Sequence, residues 1–172
     1  METLPDPPKT GWHRITAAYA WILSQLLVIT IAVLVIPVTL QIFARYTDLI
    51  PTWIWTEELA RFVFIWTIML GAMLGIRDGT HFVVDVFPIL KRRTAAMVDM
   101  VSHVAVLVFA VVFMWYGVEF SRFAWGRSSE LAELPLWMIH VAWPMAGLTW
   151  LVFGGERILR DIRLLAGREV TP

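Results

Sequence analysis

The stretch that decides the fold is residues 53–85, WIWTEELARFVFIWTIMLGAMLGIRDGTHFVVD. Carboxylates lie near its start at Glu57 and Glu58, charges return at Arg77, and a long apolar run lies between them. About 20 mainly apolar residues cross a bilayer as an α-helix. We therefore predict a membrane-spanning helix at 57–77, with functional or assembly contacts at both of its ends.

The composition of the whole chain points to lipid as the main solvent. Of 172 residues, 59% are hydrophobic and 16% are charged, and the mean hydropathy is +0.70. A soluble core of this size could not bury so much apolar surface. The formal net charge is zero, so no basic field would attract nucleic acid, and the lack of cysteine excludes disulfides and thiolate metal sites. We expect an all-α membrane protein that does not bind nucleic acid.

Three further apolar runs predict three more membrane helices, which gives four spans. The first run is about 28 residues without a charge, longer than a bilayer core requires, so we expect tilt or a bend near Pro37. The predicted order is N-terminal tail 1–16, first span 17–44, outer loop 45–56, second span 57–77, inner interfacial segment 78–94, third span 95–119, outer loop 120–134, fourth span 135–156 and amphipathic tail 157–172.

The distribution of lysine and arginine predicts the orientation of these spans. Three arginines, Arg45, Arg122 and Arg127, fall on one side of the membrane. The other side carries about ten basic residues, at positions 9, 14, 77, 91–93, 157, 160, 163 and 168. Because basic loops stay on the cytoplasmic side, we predict that both termini are cytoplasmic.

Membrane lipids are expected partners of two segments. Residues 81–90, HFVVDVFPIL, place His81 and Asp85 one helical turn apart among apolar side chains, which is typical of a short helix lying in the membrane interface. The basic tail at 157–172 is expected to hold the cytoplasmic leaflet. The ten tryptophans are most simply an aromatic belt at the interfaces.

The acidic start of the second span is the first candidate site. Arg61 follows Glu57 by four residues and Glu58 by three, so its guanidinium can pair with either carboxylate on one helix face. Ionisable residues in a membrane could form a proton or ion relay, but no second carboxylate deep in another span continues a path. We favour a helix-start or assembly role. Gly71 and Gly75 form a small-xxx-small step that could pack closely against another helix.

The histidines raise the alternative of a redox-enzyme membrane anchor with a bis-histidine haem. With the predicted spans, His103 lies roughly 12 Å from the inner end of the third span, whereas His140 lies roughly 6 Å from the outer end of the fourth. Two haem ligands must lie at the same depth, so packing or interfacial roles are the simpler interpretation. A lone regulatory membrane protein is a third alternative.

No catalytic motif accompanies these spans. The sequence contains no HExxH metal motif, no GxxxxGK[ST] phosphate loop and no GxSxG nucleophile elbow. We therefore expect that the chain is not an enzyme and that it holds no cofactor or metal.

Several short motifs in the central stretch occur together in one known family. They are W-x-E-E-x-x-R at Trp55, Glu57, Glu58 and Arg61, W-x-x-x-x-G-A at Trp66, Gly71 and Ala72, R-x-G-x-H at Arg77, Gly79 and His81, and V-D at Val84 and Asp85. With these motifs, the chain resembles the small integral-membrane subunit, or Q subunit, of tripartite ATP-independent periplasmic (TRAP) transporters. The layout of four spans with both termini inside extends this likeness over most of the chain.

The resemblance implies a role in transport within the bacterial inner membrane. In that family, a small four-helix subunit binds a large membrane subunit that carries the substrate and sodium sites. A periplasmic substrate-binding protein delivers an organic acid, such as a C4-dicarboxylate, and a sodium gradient drives its import by symport. The resemblance therefore implies that this chain is a scaffold subunit, with Glu57, Glu58 and Arg61 fixing the outer start of the second span. The outer segments 48–58 and 121–133 would help to receive the binding protein.

Overall fold

The structure, a computed structural model, describes residues 11–47, 53, 55–78 and 92–165. This part of the chain forms the helices α1 (Gly11–Tyr46), α2 (Trp55–Asp78), α3 (Arg92–Phe123), α4 (Trp137–His140) and α5 (Ala142–Leu165). Four segments are long and apolar enough to cross a membrane: Arg14–Tyr46, Trp55–Arg77, Met100–Phe123 and Trp137–Ile158. The prediction of an all-α membrane protein with four spans is confirmed. The predicted interfacial helix falls mainly on residues 79–91, which lie outside the described part.

The apolar runs form helices because a backbone in lipid must satisfy its own hydrogen bonds, and an α-helix does so within one segment. Even α1, which contains Pro37, stays one continuous helix of 36 residues. Each helix extends beyond the purely apolar run, since helical hydrogen bonding does not stop where the side chains become polar. α3, for example, begins at Arg92, within the segment that was expected to lie at the inner interface.

The fourth span is divided into α4 and α5 at Val141. Pro144 explains why the division falls here: its ring nitrogen has no hydrogen, so the carbonyl of His140 loses its usual helical donor. The chain nevertheless continues in nearly the same direction, because Val141 keeps right-handed helical angles and its N–H donates to Trp137. The four-residue α4 and the first part of α5 together therefore form one span, Trp137–Ile158.

The helices do not pack in sequence order. α1 lies against α2, and α3 lies against α5, while α5 also packs against α2. The order across the bundle is therefore α1, α2, α5, α3. In this arrangement α1 and α3 are the outermost helices, and most of their apolar side chains are exposed.

The core lies where three helices meet, around Leu23 of α1, Met73 of α2 and Phe153 of α5. All three side chains are almost completely buried. A hydrogen bond closes this region: the Tyr19 hydroxyl lies 2.7 Å from the hydroxyl of Thr149, which itself donates to the helix backbone. This pair ties α1 directly to α5.

Two glycines let α3 and α5 approach closely. A Cβ atom added at Gly147 would lie 2.6 Å from the backbone nitrogen of Met114, and one added at Gly117 would lie 2.7 Å from the ring nitrogen of Pro144. Because these two positions have no side chain, the backbones of the two helices lie in direct contact. The close packing of this pair therefore depends on glycines that the sequence reasoning did not single out.

Candidate functional site

The sequence suggested that Arg61 pairs with either Glu57 or Glu58, and the structure shows the pair with Glu57. The guanidinium of Arg61 lies 3.3 Å from a carboxylate oxygen of Glu57, and both side chains are about two-thirds exposed. Exposed i,i+4 pairs contribute only about 0.3–0.5 kcal/mol. Nearby, Trp55 is exposed and stacks against Trp53 with ring centroids 6.2 Å apart.

Glu58 points elsewhere, to the connection between α3 and α4. Its carboxylate accepts a hydrogen bond of 2.5 Å from the hydroxyl of Ser129 and one of 2.7 Å from the backbone N–H of Ala132. The backbone N–H of Leu131 donates to both carboxylate oxygens at 3.3 Å. Glu58 therefore anchors a loop more than seventy residues away, whereas the sequence suggested a pairing with Arg61 or a helix-start or assembly role.

The loop that Glu58 holds has a defined backbone, and we call residues 127–136 the anchored loop. Its two arms pair through the N–H of Leu136, which donates to the carbonyl of Arg127, and through an isolated bridge between Ser128 and Pro135. Glu133 lies in the left-handed region with φ +53°, an uncommon and strained conformation for a residue with a side chain. The anchored loop is thus a compact turn built around one carboxylate.

Two indole groups connect α2 to the fourth span. Trp66 donates from Nε1 to the carbonyl of Met138 at 2.9 Å, and Trp150 donates from Nε1 to the carbonyl of Ala72 at 3.2 Å. An indole N–H inside a membrane finds no water, so an internal acceptor is required. The motif residue Trp66 therefore joins two helices of the same chain.

The far end of α2 is held by another contact with α5. The guanidinium of Arg157 donates to the carbonyl oxygen of Arg77 at 2.6 Å, and Arg77 is the last basic residue of α2. The last carbonyls of a helix lack helical donors, so this contact satisfies one of them. The other motif residues of this region, Gly79, His81 and Asp85, lie outside the described residues.

These contacts form a series along one side of α2. Its members are Glu58 with the anchored loop, Trp66 with Met138, Ala72 with Trp150, and Arg77 with Arg157. The bundle end that carries Glu58 is called the Glu58 end below, and the opposite one the Arg157 end. Sequence reasoning missed the partners because most of the acceptors and donors are backbone groups, which every residue carries.

Gly71 is open on the side where a side chain would project. A Cβ atom added there would meet nothing within 4 Å. The close packing expected at this glycine is therefore not made with any residue that the structure describes. Within that part of the chain, the surface at Gly71 is open to lipid or another protein.

His103 and His140 are not arranged as a pair of haem ligands. His140 lies with its ring 4.1 Å from that of Phe120, and its Nδ1 lies 2.6 Å from the carbonyl oxygen of Leu136. Phe120 is 17 positions from His103 along α3, which is roughly 25 Å of helix. Among the described residues there is also no group of three potential metal ligands. His103 and His140 therefore lie at different depths along the bundle.

The fold and these contacts define a class. The described chain is a multi-pass membrane protein of four apolar spans, in which the motif residues Glu58 and Trp66 contact other parts of the same chain. The family model of the DctQ component of tripartite ATP-independent periplasmic transporters matches residues 34–164. The chain belongs to this family, and it is a transporter component, not an enzyme.

Two characterised relatives agree with this assignment. The C4-dicarboxylate TRAP transporter small permease protein DctQ of Rhodobacter capsulatus is 30% identical over 98 residues, which cover 54% of this chain and 42% of the relative. The isethionate TRAP transporter permease protein DctMQ of Oleidesulfovibrio alaskensis is 26% identical over 114 residues, 63% of this chain and 17% of the relative. The chain therefore spans less than half the length of either relative.

Proposed function

We propose that this chain is the scaffold subunit of a sodium-coupled TRAP transporter. It pairs with a large membrane subunit in the bacterial inner membrane, and the pair imports an organic acid that a periplasmic substrate-binding protein delivers. The observation that carries the proposal is the family match over residues 34–164, which includes all four spans in whole or in part.

The interior of the bundle supports a scaffold role. The buried polar side chains in the described part are hydroxyls, and Thr56, Ser121 and Thr149 each donate to a carbonyl three or four residues back in the chain. No charged residue is buried as a whole among the described residues, although one carboxylate oxygen of Glu156 is enclosed without a hydrogen-bond partner. A substrate carboxylate or a sodium ion would need polar ligands along its path. The path for substrate therefore belongs to the large subunit.

The orientation inferred from the basic residues supports a partner at the Glu58 end. By the distribution of basic residues, the Glu58 end faces the periplasm. There the anchored loop exposes Glu130, Leu131 and Glu133. We assign this loop and the neighbouring 48–58 segment, of which residues 48–52 and 54 lie outside the described part, to reception of the binding protein.

The two relatives support assembly with a larger partner and a substrate choice made elsewhere. One is named for C4-dicarboxylate and the other for isethionate, which are both small organic anions of different chemistry. That two relatives of this chain are named for different anions supports a substrate choice made outside the small subunit. The matched part is 17% of the protein named DctMQ, so most of that polypeptide is available to act as the large component.

The experiment that tests the proposal is purification of the chain from its native membrane in mild detergent. Co-purifying proteins are identified by mass spectrometry, and an absorption spectrum is taken on the same sample. We expect a colourless preparation that contains a large polytopic TRAP subunit. A Soret band together with a dehydrogenase subunit would overturn the proposal in favour of a redox anchor, and a stable chain with no partner would favour a lone regulator.

A matched pair of variants tests the role of the ion pair at the Glu58 end. Arg61→Ala removes the cation that faces Glu57, and Arg45→Ala removes an exposed arginine near the same end, on α1. We expect Arg61→Ala to lower both the yield of the complex and sodium-driven uptake of the organic acid, and Arg45→Ala to leave both close to wild type. Equal complex yield and uptake for all three proteins would remove the assembly role of Arg61.

A further inference from the structure

The two outermost helices expose different kinds of surface. α1 has no charged residue between Arg14 and Arg45, and its exposed side chains there are mainly aliphatic, such as Ile29. α3 exposes large aromatic side chains near the Glu58 end, with Trp115 and Phe123 at 73% and 62% exposure. Aliphatic faces suit lipid, whereas aromatic side chains are enriched both where proteins meet and at the membrane–water interfaces, and Trp115 lies eight residues inside the end of the span.

A carboxylate lies within this aromatic surface. Glu119 is exposed and lies four residues, roughly 6 Å, inside the end of the span Met100–Phe123. Arg122 is also exposed on α3, but the structure records no ion pair between the two. Within the described part of the chain, the Glu119 side chain has no hydrogen-bond partner.

The surface around Glu119 is shaped as a ridge between two grooves. One groove, of about 470 Å³, is lined by side chains that include Tyr116, Phe120 and Trp143. The other, of about 430 Å³, is lined by side chains that include Trp115, Leu151 and the unpaired Arg122 described above. Glu119 borders both grooves. Helices pack by fitting the ridges of one into the grooves of the other, so this relief is suited to an approaching helix.

We propose that the ridge of α3 around Glu119, with its two grooves, is the docking surface for a helix of the large membrane subunit that presents a lysine or arginine to Glu119. This inference rests on the proposed function, because that function supplies the large subunit. The argument is charge complementarity: no ion pair of Glu119 is recorded in the described part of the chain, a carboxyl group within an apolar span is costly, and a cation on a partner helix lowers that cost. The grooves on each side accept the neighbouring side chains of the same helix.

Site-specific photo-crosslinking in membranes that contain the whole transporter tests the surface. A photoreactive phenylalanine analogue replaces Trp115 or Phe123 on α3, and Ile29 on α1 serves as the control position. We expect a covalent product with the large subunit from both α3 positions and none from Ile29. Products from Ile29 alone, or from α3 to lipid or a second copy of this chain alone, would overturn the docking surface while leaving the proposed function in place.

A charge substitution tests the role of Glu119 itself. In the Glu119→Gln variant, recovery of the large subunit with the detergent-solubilised chain is expected to fall about tenfold or more, since loss of one member of a desolvated charge pair is costly. Arg45→Gln, a neutralised charge near the same end of α1, is the matched control and is expected to retain the large subunit. Equal recovery with both variants would overturn the pairing. Absence of any large subunit from the wild-type preparation would instead overturn the proposed function, and this inference with it.

Discussion

The backbone N–H of Ala132 donates a 2.7 Å hydrogen bond to the carboxylate of Glu58, 74 residues earlier in the chain. Glu58 belongs to the first turn of α2, and Ala132 belongs to the anchored loop between α3 and α4. Through this contact, one side chain determines how the two halves of the chain meet at the Glu58 end. The same carboxylate also accepts from Ser129 and Leu131, so its removal affects several loop groups at once.

Replacement of Glu58 should loosen the anchored loop without unfolding the bundle. In the wild type, both carboxylate oxygens of Glu58 accept hydrogen bonds from the loop. Glu58→Gln replaces one of these oxygens with an NH₂ donor, so at least one loop hydrogen bond is lost. We expect several-fold faster hydrogen exchange at Leu131 and Ala132. Glu57→Gln is the control, because within the described part of the chain the recorded polar partner of Glu57 is the exposed Arg61. Hydrogen exchange in the loop of this variant should match wild type. Unchanged exchange at both amides in Glu58→Gln would contradict the anchoring role.

The indole bond between Trp66 and Met138 should contribute measurably to stability. Trp66→Phe keeps an aromatic ring but removes the N–H donor, and the loss of one such hydrogen bond costs about 0.5–1.5 kcal/mol. Thermal unfolding in detergent should therefore show a lower midpoint. Trp21→Phe, at an indole that is 64% exposed on α1, should leave the midpoint nearly unchanged. An equal shift in both variants would mean that ring size, and not the hydrogen bond, accounts for the effect.

Gly147 should not tolerate a side chain. A methyl group there would lie 2.6 Å from the nitrogen of Met114 and 2.7 Å from the carbonyl oxygen of Ala110, which are backbone atoms that cannot turn away. Gly147→Ala should therefore force α3 and α5 apart and cost about 1–3 kcal/mol in the free energy of unfolding. Gly71→Ala is the matched control, since a methyl group at Gly71 meets nothing within 4 Å. Wild-type stability in Gly147→Ala would show that the two helices are not held this closely.

The Tyr19–Thr149 pair should behave as one unit in a double-mutant cycle. Tyr19→Phe and Thr149→Val each remove one side of the 2.7 Å hydrogen bond between α1 and α5. We expect each to lower stability by about 1 kcal/mol. The double variant should be destabilised by clearly less than the sum of the two, because the shared bond can be lost only once. Strictly additive effects on thermal unfolding would argue that the two hydroxyls do not interact.

The four spans could be predicted from the sequence because their signal is local. About 20 apolar residues in succession require a helix in lipid, whatever the neighbours are. The contact of Arg61 with Glu57 was predictable for the same reason, since residues four apart share a helix face. The division at Val141 was less evident, although Pro144 was visible in the sequence.

The long-range part of the site could not be predicted in the same way. Glu58 binds mainly backbone N–H groups of the anchored loop, and no sequence pattern marks which backbone will approach a carboxylate. The sequence did contain a signal for the internal hydrogen bonds of Trp66 and Trp150. Each lies in an apolar run where its indole N–H must find an acceptor inside the protein, so neither was best explained as part of an interfacial belt.

The order of helices across the bundle has a consequence for how the protein is made. Because α1 packs on α2 and α3 packs on α5, each half of the chain is a helical hairpin whose main contacts lie between neighbours in sequence. With both termini on the cytoplasmic side, as proposed above, each hairpin could enter the bilayer as one unit during synthesis and would move a single connection across the membrane. The two units afterwards join along α2 and α5, and the Glu58 carboxylate can reach its loop only once both have arrived.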